Sequence, residues 1–558
     1  MAALDEGQPL LAANPQHEYQ SIAQGDPLPE EELIAAKIED IKGNLSTTRV
    51  NASLTGILIC LYLTAVNTTF FIPILNDVSS GFDASGQAFW IATSYLLASC
   101  VAAPIYTQLL QISNHKSIVI LSVSIFLLGT ALCTTAQSMY ALIAYRTLAG
   151  LGGGGISQSF SILMQNLLPL RKQAIYQSRS QLIYAVGIFS GAPIGAFVST
   201  WLGWRCAIAI QIPILAIASL VLIVVLKLPI FPSTKEQIER QARDAKYSRM
   251  QQLRRRLDLI GVLLLASACI SMMLGLTFLA GGHLPFLDKN VWGCAILSAC
   301  LLMTLIWYET RIAIVSFIPL ALLKTRNSGL IVAYHFFNST SMAVFFYSPS
   351  YFRSIFLQSA SQVGARLISL TFSAAFGFYT SKALLASNSR LKNHILLFCL
   401  INLTVPIYIS TWSDTNIPSI LTQNFSLAPF AFSSTALTVI ISSRIQKEPA
   451  VLALVGLARY LGTITGISFF GAQIQYVVTT ELTKHISGPD ASSVIDSIRK
   501  NANKNASLPD DLREIALQAW SSSLHIFHLG IALILSINLL IALCIKEEHS
   551  DDQDADLH

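Results

Sequence analysis

The sequence predicts an all-α membrane protein with fourteen spanning helices, and three observations carry that prediction. Of 558 residues, 53% are hydrophobic and only 12% are charged, with a mean hydropathy of +0.56; soluble domains carry about 25% charged residues. Apolar runs of spanning length, on the order of 20 residues, recur along the chain. Lys and Arg gather in alternate connecting segments, the asymmetry expected when basic loops stay on one side of a bilayer.

In chain order, residues 1–50 are polar, with Pro9, Pro15, Pro27 and Pro29, and read as a disordered cytosolic tail without a signal peptide. Six apolar runs follow, near 54–75, 88–110, 117–137, 139–165, 176–201 and 204–228. They form a predicted N-terminal six-helix bundle over 51–228. A basic break precedes two further runs, near 257–280 and 290–308, so 229–326 reads as a cytosolic linker plus two extra spans. Six more runs lie near 327–348, 361–385, 393–411, 417–442, 449–478 and 518–545, a second six-helix bundle over 327–546 with a loop at 479–517. An even span count places that loop in the lumen and the acidic tail 547–558 in the cytosol.

The stretch Met139 to Ile214 holds the densest signals. Arg146 stands inside an apolar span, at about 2.5–3.5 kcal/mol on insertion scales, so it is expected to face a polar cavity or a partner. Gly150 and Gly152, then Gly187, Gly191 and Gly195, let helix backbones approach closely. Pro193 frees a carbonyl and bends its helix. The Gly152–Gly155 run has no preceding strand and no following Lys-Ser/Thr, so it reads as helix packing and not as a phosphate loop. The second half echoes this pattern in Arg459-Tyr460-Leu461-Gly462-Thr463-Ile464-Thr465-Gly466, the internal similarity expected where two bundles pack about an axis normal to the membrane.

These residues resemble a known family. Arg146-Thr147-Leu148-x-Gly150-x-Gly152 resembles the fourth-helix motif of major facilitator superfamily transporters, and Gly187-x-x-x-Gly191-Ala192-Pro193-x-Gly195 resembles their fifth-helix antiporter motif. Phe89-Trp90-Ile91-Ala92-Thr93-Ser94-Tyr95-Leu96-Leu97 is similar to helix two of the fungal fourteen-span branch, which holds drug:proton antiporters and vacuolar basic amino acid transporters. The resemblance implies the major facilitator fold, two six-helix bundles plus two extra linker spans, with solute bound between the bundles.

Two departures matter. The branch carries an aspartate in span one, where this chain has Asn67 in Ala65-Val66-Asn67-Thr68-Thr69. The charged gating loop after span two reads here Thr107-Gln108-Leu109-Leu110-Gln111-Ile112-Ser113-Asn114-His115-Lys116, and only its Lys116 remains. No Asp or Glu falls in the middle of a predicted span; Asp77, Asp258 and Glu309 sit at ends. A titrating carboxylate is the usual proton carrier, so coupling would fall to a histidine: His335 first, then His525 and His528. The plainer reading of each is a histidine hydrogen-bonded to a neighbouring helix.

Arg146, Asn67, Arg459 and Gln165 are the candidate substrate contacts, since a guanidinium can clasp a carboxylate through two bonds. Arg146 could instead bond backbone carbonyls across the bundle. Glu6, Leu10 and Leu11 resemble an acidic dileucine signal that a sorting adaptor would read, and Asn505-Ala506-Ser507 is a glycosylation sequon in the predicted lumenal loop.

The nine cysteines all lie in or at the ends of apolar runs, so neither a disulfide framework nor a metal cluster is expected. No nucleophile–base set points to an enzyme, no cofactor is implied, and no basic–aromatic interleaving points to nucleic acid. The expected partners are a small-molecule solute and the lipid bilayer, with the chain a monomer. Three functions stay open: a vacuolar transporter of amino acids, basic ones among them; a plasma-membrane drug or siderophore exporter; and a transporter-like receptor or regulator that no longer transports.

Overall fold

A computed structural model describes residues 47–545, apart from 83, 85–86, 113–114, 169, 226–257, 281–288, 313–325, 387–390, 413–426, 444–448, 488–490 and 501–507. Residues 1–46 of the predicted N-terminal tail, the basic linker and the acidic tail therefore lie outside the described residues, as do the dileucine residues Glu6, Leu10 and Leu11 and the sequon residue Asn505, while residues 47–50 already belong to the first helix.

Every described regular element is helical. Span one is α1 (Thr47–Thr69), continued by a 3₁₀ turn (Ile72–Ile74) and α2 (Leu75–Ser80). Then come α3 (Ala88–Ile112), α4 (His115–Thr134), α5 (Met139–Leu167), α6 (Leu170–Ala209) and α7 (Gln211–Val225). The two extra spans are α8 (Leu259–Ala280) and α9 (Lys289–Arg311). The second half holds α10 (Arg326–Thr340), α11 (Ala343–Ser354), α12 (Ala360–Ala386), α13 (Leu391–Ser410), α14 (Ala428–Ser443), α15 (Pro449–His485), α16 (Ala491–Lys500) and α17 (Asp510–Cys544). Helix thus occupies all or part of each of the fourteen predicted runs, and nine of the described helical stretches are long and apolar enough to cross a membrane.

Local chemistry explains the boundaries. Ser138 is extended and its side chain accepts a hydrogen bond from the Ala141 amide, the N-cap that starts α5. Gly203, at φ +78°, separates spans five and six, a conformation that side-chain-bearing residues rarely adopt. The run 327–348 falls within one spanning stretch, Arg326–Ser354, whose helix is interrupted after Thr340. There Thr340 Oγ1 donates to the Phe336 carbonyl and Ser341 Oγ to the Asn338 carbonyl, competing with the helical ladder. Span one breaks at the equivalent place, before Pro73. The predicted loop 479–517 is largely helical: α15 runs on to His485, α17 starts at Asp510, and α16 lies between. Leu482, Ile495, Ile498 and Trp520 are buried in one cluster, so this segment caps the end of the second half.

The glycines place the helices. A methyl group added at Gly195 would strike the Phe70 carbonyl, so α6 lies directly on the end of α1; Gly191 meets Val66 on the same ridge. Gly462 and Gly466 do the same for α15 against the carbonyls of Phe336 and Thr340 on α10. Gly150 packs on Tyr95 of α3 and Gly152 on Phe126 of α4. The same seam thus appears in both halves, with α1 and α6 in the first matched by α10 and α15 in the second.

The outer surface is apolar. Ile217, Leu220 and Val224 of α7, Ile296, Met303 and Trp307 of α9, and Phe372 and Phe376 of α12 are all exposed. Such a surface belongs in lipid. The halves meet along α6 and α12, where Gly364 packs on Ala196, and again at the end carrying α2 and α11. Phe189 packs edge-on against Phe345 at 5.2 Å, and Arg353 clasps Asp77 through two 3.1 Å bonds while donating to the Pro73 carbonyl.

The glycine seam makes a sharp prediction. Gly462→Val drives a branched side chain into the Phe336 backbone, whereas Gly293→Val on α9 enters open space. Overpacking of about 1–3 kcal/mol or more is expected at the first site and none at the second. Fluorescence-detected size-exclusion of detergent-extracted protein should show loss of the monodisperse peak for Gly462→Val alone.

Candidate functional site: two arginines inside the bundle

Among the described residues, two arginines stand within the bundle, and their surroundings differ. Arg146, on α5, is 1% exposed. Its Nε donates to the Ile91 carbonyl of α3 at 3.0 Å, one terminal nitrogen donates to Asn67 Oδ1 at 3.0 Å, and the other to the Asn67 carbonyl at 3.1 Å. The guanidinium lies over the rings of Phe71 and Tyr95, at 4.7 and 4.5 Å. Asn67 Nδ2 in turn donates to Gln211 Oε1 of α7 at 2.6 Å. One cation therefore ties α1, α3 and α5 together, and α7 through Asn67, using amide and carbonyl dipoles and two aromatic faces. Arg146 and Asn67 face each other within the first half.

Arg459, on α15, is partly exposed and reaches across to the first half. It donates a 3.3 Å bond to Gln181 Oε1 of α6, and its guanidinium lies 5.3 Å from the Tyr184 ring. Tyr184 interacts with Tyr460, and Tyr460 with Ser157 of α5. His335 of α10 is buried and within electrostatic range of Arg459. The structure thus gathers Arg459 and His335 with Gln181, Tyr184, Tyr460 and Ser157 where the halves face each other.

The remaining predicted residues are scattered. Gln165 lies on α5, but its side chain is outside the described residues. His525 is exposed and pairs through Nδ1 with the Ser410 carbonyl at 2.7 Å. His528 is buried, with Nδ1 2.9 Å from the Leu524 carbonyl and its ring edge-on to Phe527. Neither stands among the Arg459 group. The altered gating loop keeps two polar ties, Lys116 donating to the Ile223 carbonyl at 2.7 Å and Gln108 accepting from the Asp258 amide at 3.1 Å. Separately, a groove of about 450 Å³ between α10 and α15 is lined only by apolar side chains and glycine, among them Val332, Phe336, Leu457 and Leu461. Among the described residues, no cluster of metal-ligating side chains occurs.

Sequence reasoning missed Gln181, Tyr184, Tyr460 and Gln211 as partners. For Gln181, Tyr184 and Gln211 a signal was available, polar side chains near the starts of apolar runs five and six; for Tyr460 it was the neighbouring Arg459. The Arg353–Asp77 pair was visible only as an acid just past span one and a base just past span nine.

With this geometry in hand, the family is decided by one match. Residues 57–467 fit the family model of the Major Facilitator Superfamily. The chain belongs to the Major Facilitator Superfamily. It is a multi-pass membrane protein of the all-α major facilitator fold. It is similar to the vacuolar membrane amino acid uptake transporter fnx2 of Schizosaccharomyces pombe, 24% identical over 514 residues, covering 90% of this chain and 86% of that one. It is also similar to the multidrug resistance protein fnx1 of the same yeast, 24% identical over 497 residues, covering 87% and 90%. In space it resembles a bacterial homologue of the human lysosomal transporter Spinster, solved inward-facing and occupied, with a TM-score of 0.57 at 12% identity over 90% of this chain and 97% of that one. At that identity the likeness shows the fold alone.

The Arg146 geometry gives a prediction that separates structure from solute binding. Arg146→Lys keeps the charge but loses the planar fork that serves Asn67 and Ile91. Each buried group left unpaired costs about 1–3 kcal/mol, so the thermal midpoint in detergent should fall for both Arg146→Lys and Arg146→Ala. An unchanged midpoint with abolished solute uptake would instead mark Arg146 as a solute contact.

Proposed function

We propose that this protein carries amino acids across an internal membrane, that of the vacuole, by alternating access between its two halves. The observation that carries this reading is the Arg459 group: a guanidinium, an amide, two tyrosines and a histidine held between halves whose first helices are both broken. A zwitterionic solute needs such paired polar and aromatic contacts at depth, and a moving boundary between bundles is where a major facilitator holds it. The similarity to an amino acid uptake transporter over most of both chains supports it.

Proton exchange is absent from this reading. Arg146 is met by Asn67, which cannot titrate, and no carboxylate occupies the middle of a described span. Net flux then follows the solute's own gradient, with His335 as the one alternative carrier placed beside the Arg459 group. A second reading, export of apolar compounds, is favoured by the apolar groove between α10 and α15 and by the likeness to a multidrug resistance protein.

Two measurements test the proposal. Vacuole vesicles from cells making the protein should take up labelled amino acids faster than vesicles from cells lacking it. Equal uptake, with raised resistance of the producing cells to apolar toxins, would favour the exporter. For location, a tagged chain should reach the vacuole, and replacing Leu10 and Leu11 with Ala should divert it to the cell surface. Vacuolar location unchanged by that replacement would remove the sorting role of these leucines.

A further inference from the structure

The Arg459 group has a definite electrostatic character. Among the described residues, the carboxylates of the two halves lie outside the middle of the spans: Asp77 on α2, Glu481 near the end of α15, Asp496 on the short α16, and Asp510, Asp511 and Glu514 at the start of α17. Asp258 and Glu309 flank the extra spans. The interior holds Arg146 and Arg459. Arg146 is closed by three hydrogen bonds of 3.0–3.1 Å to its own half and by two aromatic faces. Arg459 instead makes a 3.3 Å bond to a neutral amide on the other half and lies over a tyrosine ring. A guanidinium has five donors, and an ionised acceptor binds it about twice as strongly as an amide oxygen does.

We infer that Arg459 is the carboxylate-binding residue of the solute site, and that it selects neutral and acidic amino acids against basic ones. The inference rests on the amino acid reading above. An incoming carboxylate takes the two parallel N–H bonds of Arg459 and displaces Gln181, while Tyr184 and Tyr460 offer ring faces and hydroxyls to the ammonium and side chain. Because Gln181 belongs to α6 and Arg459 to α15, this exchange replaces a direct tie between the halves with one made through the solute. A lysine or arginine solute brings a second cation into a space where the described fixed charge is already positive. Like charges held at about 6 Å in a partly buried site repel strongly enough to lower occupancy by on the order of a hundredfold.

The test uses the purified full chain in proteoliposomes with no pH gradient, preloaded with unlabelled solute, and follows exchange of labelled alanine, glutamate, lysine and lactate. Alanine and glutamate should exchange at least about tenfold faster than lysine. Arg459→Gln should abolish that exchange while keeping the monodisperse peak. Gln181→Glu supplies an internal carboxylate to Arg459, so it should slow alanine and glutamate and narrow the gap to lysine. If Arg459→Gln does not fold, Gln181→Glu decides alone. Lysine exchanging as fast as alanine in the unaltered protein, or a profile unmoved by both variants, overturns the selectivity. Lactate exchange that depends on Arg459, without amino acid exchange, keeps the arginine's role and overturns the amino acid reading. No exchange of any of the four overturns both.

Discussion

The contact on which the first half depends is the pairing of Arg146 with Asn67. A guanidinium inside an apolar helix is tolerable only if its donors are filled by the protein. Here they are filled from α1 and α3, and Asn67 passes the constraint on to Gln211 of α7. An aspartate at position 67 would make this an ion pair whose partner can take up a proton. Asparagine keeps the acceptor oxygen and the geometry, and leaves Arg146 charged without a counter-ion among its described partners. The same substitution that lets the clamp stand without a carboxylate also removes a titrating group from it.

From that clamp the rest follows in layers. In the first half α6 rides on α1 through Gly191 and Gly195. The second half repeats the seam with α15 on α10 through Gly462 and Gly466. What moves between the halves must then lie where they touch. At one end this is the Phe189–Phe345 contact and the bidentate Arg353–Asp77 pair. Within the bundle it is the packing of α12 on α6, where Gly364 meets Ala196, and the bond from Arg459 to Gln181 with its tyrosine neighbours. Asp77 is half exposed while Arg353 is largely buried, and the bidentate geometry sets this pair above the usual exposed ion pair of about 0–1 kcal/mol. With the charged gating loop reduced to Lys116, the described ionic tie between halves is at the α2–α11 end.

The fourteen apolar runs, the glycine seams and the isolated arginine were legible in the sequence because each is a local pattern with a local cause. The breaks inside spans one and nine were not. They depend on hydroxyl groups at Thr340 and Ser341 competing for carbonyls and on a proline at Pro73, signals lost within an otherwise unbroken apolar run. The helical character of 479–517 was hidden for the opposite reason: α16 is too short and too polar to read as a span, and its apolar face has meaning only against Leu482 and Trp520. Arg146 and Arg459 look alike in sequence, each an arginine beside small residues. Only the fold shows that the first is enclosed by its own half while the second faces the other.

Asn67 gives the Arg146 clamp a neutral partner, where the fourteen-span branch that this chain resembles carries an aspartate. The most direct measurement is substrate-driven proton movement, followed with a pH-sensitive dye trapped inside proteoliposomes, for the unaltered protein and for Asn67→Asp. Solute uptake with no change of internal pH is expected in the unaltered protein, and a pH change accompanying uptake once position 67 carries a carboxylate. Proton movement in step with uptake by the unaltered protein would contradict it.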